Sequence, residues 1–149
     1  MINLVYKYNF SIKFVKMKFT LGKQERLKRK KLIEKLYLEG KSIKIFPLKM
    51  IYIQTKHTSN YPAQVGVSVP KRNFKHAVDR NRLKRLMRES YRKNKYIVYD
   101  GLNKPYVFMI SYLAKESWNY DVIVQKMQQL LIAFVDEIQK SEKKTFNEK

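Results

Sequence analysis

The chain has 149 residues, 44% of them hydrophobic, which suits one domain with a modest core. It has no cysteine, so a disulfide framework and a cysteine-based zinc site are excluded; its two histidines, His57 and His76, are too few for a convincing histidine metal cluster, and a reducing, cytoplasmic setting is expected. Lys and Arg total 33 against 12 Asp and Glu, a formal charge of +21; such a domain repels itself unless an anionic partner absorbs the field, and nucleic acid is the first candidate, an anionic membrane surface the second.

In chain order, residues 1–16 are expected to be a disordered extension outside the domain. Their segment YKYNFSIKF (6–14) alternates like a strand but has no adjacent hairpin partner. Lys7 and Lys13 interrupt the apolar residues and no small-residue cleavage site follows, so an export signal is rejected. No apolar run approaches the roughly 20 residues of a membrane span. The domain is expected over 17–140. Its first helix runs from Gln24 to Leu38, with Leu27, Ile33, Leu36 and Tyr37 at helical spacing and Gly40 as a left-handed cap. Strands follow at 48–55 (LKMIYIQT), 63–69 (AQVGVSV) and 106–112 (YVFMISY), the last apolar enough to be covered on both faces. A stretch without Gly or Pro, from Lys71 to Asp100, separates the second and third strands, and DGLNKP (100–105) reads as a turn. A final amphipathic helix is expected over 119–139, capped by Asn119, with Val124, Met127, Leu131, Phe134, Val135 and Ile138 on one face; 141–149 reads as a charged tail. The order α-β-β-α-β-α, with room for one more short strand, predicts an α+β domain with helices packed on a small sheet.

The excess charge lies in the N-terminal third and in the stretch 76–95, HAVDRNRLKRLMRESYRKNK; from Asp100 onward the charges balance. On a helical wheel Arg80, Lys84, Lys95, Arg88, Arg92 and Arg85 fall within roughly 140°, with Asn81 among them and Leu83, Leu86 and Met87 opposite. Most charged helix faces are merely solvated, but those mix signs because i,i+4 pairs of opposite charge support the helix. Here Lys84, Arg88 and Arg92 form a ladder of like charges, which points to a polyanion.

Arginine outnumbers lysine on this face, and its planar fork suits phosphate oxygens. There is no helix-turn-helix partner, so DNA is disfavoured. Aromatic residues around a small sheet (Tyr37, Tyr52, Tyr61, Phe74) fit stacking on single-stranded RNA, although each alone reads more readily as core or rim than as a base platform. Acidic residues are scarce where the cations cluster, and Asp79 is explained as a charge favoured at a helix N-terminus, so no protein-borne catalytic or metal centre is expected.

The run Arg80-Asn81-Arg82-Leu83-Lys84-Arg85 resembles the RNR signature of the bacterial ribonuclease P protein subunit. The flanks agree: Phe19-Thr20-Leu21 with Glu25-Arg26-Leu27, Val65-Gly66-Val67-Ser68-Val69 before Lys71-Arg72, Arg88-Glu89-Ser90-Tyr91-Arg92, and Ser117-Trp118-Asn119-Tyr120. The resemblance spans about residues 19–138 and leaves 1–16 without a counterpart. It implies an αβββαβα domain like one found in ribosomal proteins, with a small mixed sheet and a left-handed βαβ crossover around the RNR helix. It implies a partnership with a catalytic RNA that holds Mg²⁺ and removes the 5′ leader of precursor tRNA, with no membrane or DNA partner. Carried over by position, Arg80, Asn81, Arg82, Lys84, Arg85, Arg88 and Arg92 would meet that RNA. Ile33, Tyr37, Tyr52, Ser68, Lys71 and Arg72 would line a cleft for the leader; Ile33 departs from the aromatic residue common there. The alternative is a non-catalytic basic RNA-binding protein, ribosomal or chaperone, sharing charge and fold class.

Overall fold

The apolar run at 106–112 becomes the central strand of a four-stranded sheet, because a strand without a polar face can only sit where both faces are covered. The computed structural model describes residues 20–147; the expected extension 1–16, with its strand pattern, lies outside them. After a 3₁₀ turn at Lys23–Glu25 come α1 (Lys30–Glu39), β1 (Lys41–Ile45), β2 (Leu48–Gln54), β3 (Ala63–Ser68), α2 (Ala77–Asn94), α3 (Tyr96–Gly101), β4 (Tyr106–Tyr112) and α4 (Tyr120–Asn147). The strand order is β1-β2-β4-β3. β4 runs antiparallel to β2 (Leu48 opposite Tyr112) and parallel to β3 (Val65 opposite Phe108), so the sheet is mixed and α2 with α3 forms the crossover.

Alternation divides β4 between two cores. Phe108, Ile110 and Tyr112 join Leu48, Met50 and Val65 beneath α2 and α4, where Leu83, Met87, Tyr91, Ile123, Met127, Leu131 and Phe134 are buried. The Phe134 ring lies 5.0 Å from Tyr52, 5.4 Å from Phe108 and 5.7 Å from Tyr106, with edge-on or tilted geometries that favour aromatic pairs. On the opposite face Val107 and Met109 pack with Leu27 and Leu36, flanked by Ile33, Ile51 and Ile53.

Four local expectations are corrected. The first helix starts at Lys30 rather than Gln24, because Lys23–Glu25 form a 3₁₀ turn and Arg26 is extended: Arg26 bridges Val65, and the Leu27 amide donates to the Val65 carbonyl at 2.9 Å. Gly40 is no left-handed cap. Its φ is −70°, and glycine is required because a Cβ would sit 2.3 Å from the Leu36 carbonyl and 2.6 Å from Ile51 Cγ2. The short helix α3 occupies the approach to the expected turn, with Val98 and Tyr99 buried. The last helix continues to Asn147, so most of the expected tail is helical.

The segment before α1 is tied to the far end of α2 by a buried ionic knot. Lys95, expected on the cationic arc, is instead buried, its Nζ 2.6 Å from Glu25 Oε1 and also donating to the Thr20 carbonyl. The Tyr99 hydroxyl donates to the same carboxylate oxygen, and the Gly22 amide donates to Glu25 Oε2 at 2.9 Å. Burial, and then neighbouring Tyr91 and Glu25, push the Tyr99 hydroxyl pKa well up, so it remains a donor. Removing one partner of a buried pair strands the other charge. Glu25→Gln is expected to destabilise the protein by about 3–5 kcal/mol in urea unfolding, with Lys95→Met in the same chain recovering much of the loss; a loss below about 1 kcal/mol would mean that solvent screens the pair.

Candidate nucleic-acid interface

Helix α2 carries the cationic face, and its inner side explains its orientation. Leu83, Met87 and Tyr91 repeat every four residues into the core, joined by Ser90 and Asn94. The two polar groups are satisfied within the helix: Ser90 Oγ donates to the Met87 carbonyl (2.8 Å) and Asn94 Nδ2 to the Ser90 carbonyl (2.9 Å). The outer side exposes Asn81, Arg82, Arg85 and Arg88, with Lys84 half-buried beside them. Among the described residues no carboxylate pairs with Arg82, Lys84, Arg85 or Arg88.

Arg80 and Arg92 differ from the others. Arg80 Nη1 donates to the Phe74 and Lys75 carbonyls, at 2.8 Å each, and so holds the turn that leads into the helix. That turn carries the exposed Lys71 and Arg72; it is closed by Asn73 and Phe74 amides donating to the Pro70 carbonyl and anchored by Asn73 Nδ2 on the Leu113 carbonyl. Arg92 forks onto Glu89, Nε to Oε2 at 3.1 Å and Nη2 to Oε1. Its hydrogen bond draws the Glu89 carboxyl pKa below the usual range, and Glu89 in turn raises that of Arg92. The expected ladder of like charges therefore ends at Arg88, with Arg92 already compensated.

Beside α2 an open groove of about 280 Å³ runs between Arg26, Leu27, Lys28 and Ile33 on one wall and Arg88 and Tyr91 on the other, floored by Gly66, Val67 and Met109. It falls just below the roughly 300–1,000 Å³ of enclosed small-molecule sites and suits a strand passing through. Gly66 makes the floor possible: a Cβ there would meet Met109 Cε at 2.8 Å and Sδ at 2.9 Å. Burial, and then the like charge of Arg26, lower the Arg88 pKa. With Arg26 on one wall and Arg88 on the other, the groove is a place where a phosphate could accept from both guanidinium groups.

The residues expected in the cleft divide. Ile33 lines the groove, and Tyr37, one turn along α1, is 52% exposed. Ser68 is half-buried at the end of β3, beside the turn of Lys71 and Arg72. Tyr52 is corrected: it is 5% exposed and faces α4, against Phe134 and Tyr106, with its pKa pushed up to about 12 by burial and Glu137. Its neighbours Ile51 and Ile53 turn towards α1 instead, since a strand alternates faces at every residue. Tyr61 and Phe74 pack on Tyr99 and Tyr112, so Tyr37 is the most open of the four stacking candidates. Arg26 and Gly66 were not anticipated; Arg26 lay inside a helical pattern that gave no hint of its extended conformation. No group of three or more His, Asp or Glu among the described residues is placed to hold a metal ion, and no helix among them is long and apolar enough to cross a membrane.

Comparison with known proteins follows the same outline. The model of the family Ribonuclease P matches residues 21–135. The ribonuclease P protein component of Porphyromonas gingivalis is 34% identical over 127 residues, covering 83% of this chain and 92% of that protein. That of Chlorobium phaeobacteroides is 49% identical over 79 residues, 51% of this chain and 54% of that protein. Among solved structures, the RNase P protein from Thermotoga maritima superposes with a TM-score of 0.60 at 23% identity, over 73% of this chain and 96% of that one. The Staphylococcus aureus RNase P protein gives 0.53 at 22% identity, over 78% and 95%; at such identities these two speak for the fold alone. The sequence matches extend through the basic helix, the groove strand β3 and most of α4, and on them the chain belongs to the ribonuclease P protein family.

Proposed function

We propose that the outer face of α2 binds the catalytic RNA of ribonuclease P and that the adjoining groove receives the 5′ leader of precursor tRNA, in the cytoplasm. The observation that carries this reading is the set Arg82, Lys84, Arg85 and Arg88, like charges on one rigid face with no carboxylate among the described residues to compensate them. Asn81 adds an exposed donor and acceptor within this set. Arg80 acts indirectly, by holding the turn that presents Lys71 and Arg72.

In the groove, Arg26 and Arg88 would take a phosphate between them, while Ile33 supplies apolar contact and Tyr37 a ring on which a base can stack. Ser68, at the end of β3, would hydrogen-bond the strand as it leaves the groove. The chemistry is assigned to the RNA. A face this cationic repels divalent ions, so the Mg²⁺ that would polarise the scissile phosphate and activate water belongs with the RNA's own phosphates. The protein's part is to neutralise charge and hold the substrate.

Two outcomes test the reading. Mixed with a bacterial ribonuclease P RNA and precursor tRNA at low Mg²⁺, the chain is expected to raise the rate of leader removal; cleavage no faster than with RNA alone would leave only a non-catalytic RNA-binding role. Arg82→Ala and Arg85→Ala are each expected to lower the slope of log affinity against log salt by about 0.7–0.9 in a filter-binding titration with the catalytic RNA. Arg92→Ala should change it less, because Glu89 already compensates that charge; equal slopes in all four proteins would place the face in solvent.

A further inference from the structure

The face of the sheet that α1 covers carries Ile51, Ile53, Val107 and Met109, and at its end this cover stops. The next row across the strands is polar. Lys44 in β1 lies opposite Lys49 in β2, Lys49 opposite Ser111 in β4, and Ser111 beside Ser68 in β3. Directly opposed residues share a face, and two lysines in such a pair destabilise a sheet. At about 4.8 Å between strands the row spans roughly 14 Å.

The row ends at the β1–β2 turn, where Phe46 stands 49% exposed. Its ring packs edge-on against Trp118 at 5.6 Å, and Lys44 Nζ lies 6.0 Å from its centroid. The Leu113 amide donates to the Pro47 carbonyl at 2.7 Å, which docks the loop carrying exposed Lys115 beside the turn. An open aromatic ring among lysines has the chemistry of a single-stranded nucleic-acid platform: a flat surface for a base and cations for its phosphates. A protein ligand would have to bring acidic groups to the same lysines and gain little from so small an apolar face.

We propose that the distal part of the precursor tRNA leader leaves the groove at Ser68, crosses the row of Ser111, Lys49 and Lys44, and stacks one unpaired base on Phe46. This rests on the leader reading above and extends it to residues outside that groove. Continuity of the row with Ser68 favours the leader over a segment of the catalytic RNA.

The test measures binding of a tRNA with no leader, and of precursor tRNAs with a short leader, confined to the groove, and with a long one, to holoenzyme reconstituted with the catalytic RNA. Phe46→Leu keeps bulk but removes the aromatic ring; Lys44→Gln and Lys49→Gln remove charge from a surface whose side chains do not fill the core. Phe46→Leu is expected to weaken long-leader binding by roughly tenfold and leave short-leader binding unchanged. Each lysine variant is expected to lower the salt slope for the long leader by about 0.7. If the wild type binds a tRNA with no leader as tightly as either, the leader reading itself fails and this proposal with it; if it binds the short and long leaders equally but more tightly than the leaderless one, only this proposal falls. If the wild type prefers the long leader and all three variants keep that preference, only this proposal falls. Equal losses in both arms, or in binding of the catalytic RNA alone, would assign the platform to the catalytic RNA and overturn it as well.

Discussion

The arrangement depends on one buried carboxylate. Glu25 accepts hydrogen bonds from Lys95, Tyr99 and the Gly22 amide, and through them joins a segment at the beginning of the domain to the junction of α2 and α3. The segment so held carries Arg26 and Leu27, which form one wall of the groove, while α2 carries Arg88, which forms the other. The knot works against the mutual repulsion of Arg26 and Arg88, together with the bridge from Arg26 to Val65, the Gln64 amide on the Gln24 carbonyl and the burial of Leu27. A buried ion pair is rarely a net gain over apolar packing, so its retention here is better explained by placement than by stability. It sets the width of a groove.

The same logic governs the surface. A chain of formal charge +21 gives up stability to self-repulsion, and the described structure relieves it locally at pairs such as Glu89–Arg92 and Glu25–Lys95. Cations gather on α2, along the groove and in the row of Lys44 and Lys49. α4 provides the opposite contribution. Its balanced charges and buried Ile123, Met127, Leu131 and Phe134 brace the sheet from behind, so that the binding face is presented on a rigid support.

Much of this was legible in the sequence, and the failures have physical causes. The strand at 106–112 was plain because seven nearly apolar residues admit few alternatives, and the RNR helix because its apolar and cationic residues separate on a wheel. The first helix was misjudged because Gln24–Leu27 fits a helical period, yet Leu27 gains more by joining β3 and Glu25 more by meeting Lys95, contacts 38 and 70 residues away in sequence. Lys95 was misread for the same reason: a wheel assigns direction but not partners. Tyr52 shows how strictly a strand is keyed, since an assignment off by one residue exchanges the groove for the core. Arg80 was assigned to the cationic arc, but its backbone partners were invisible, because side chain to main chain contacts leave no periodic trace.

The central claim is that RNA supplies the counter-charge for the outer face of α2. Arginine modification by phenylglyoxal, read by mass spectrometry with and without the catalytic RNA, addresses it residue by residue. The account predicts that Arg82 and Arg85, open in the free protein, become strongly protected when the RNA is added, whereas Arg92, forked onto Glu89, changes little. Arg82 and Arg85 modified at the same rate with and without RNA would contradict it.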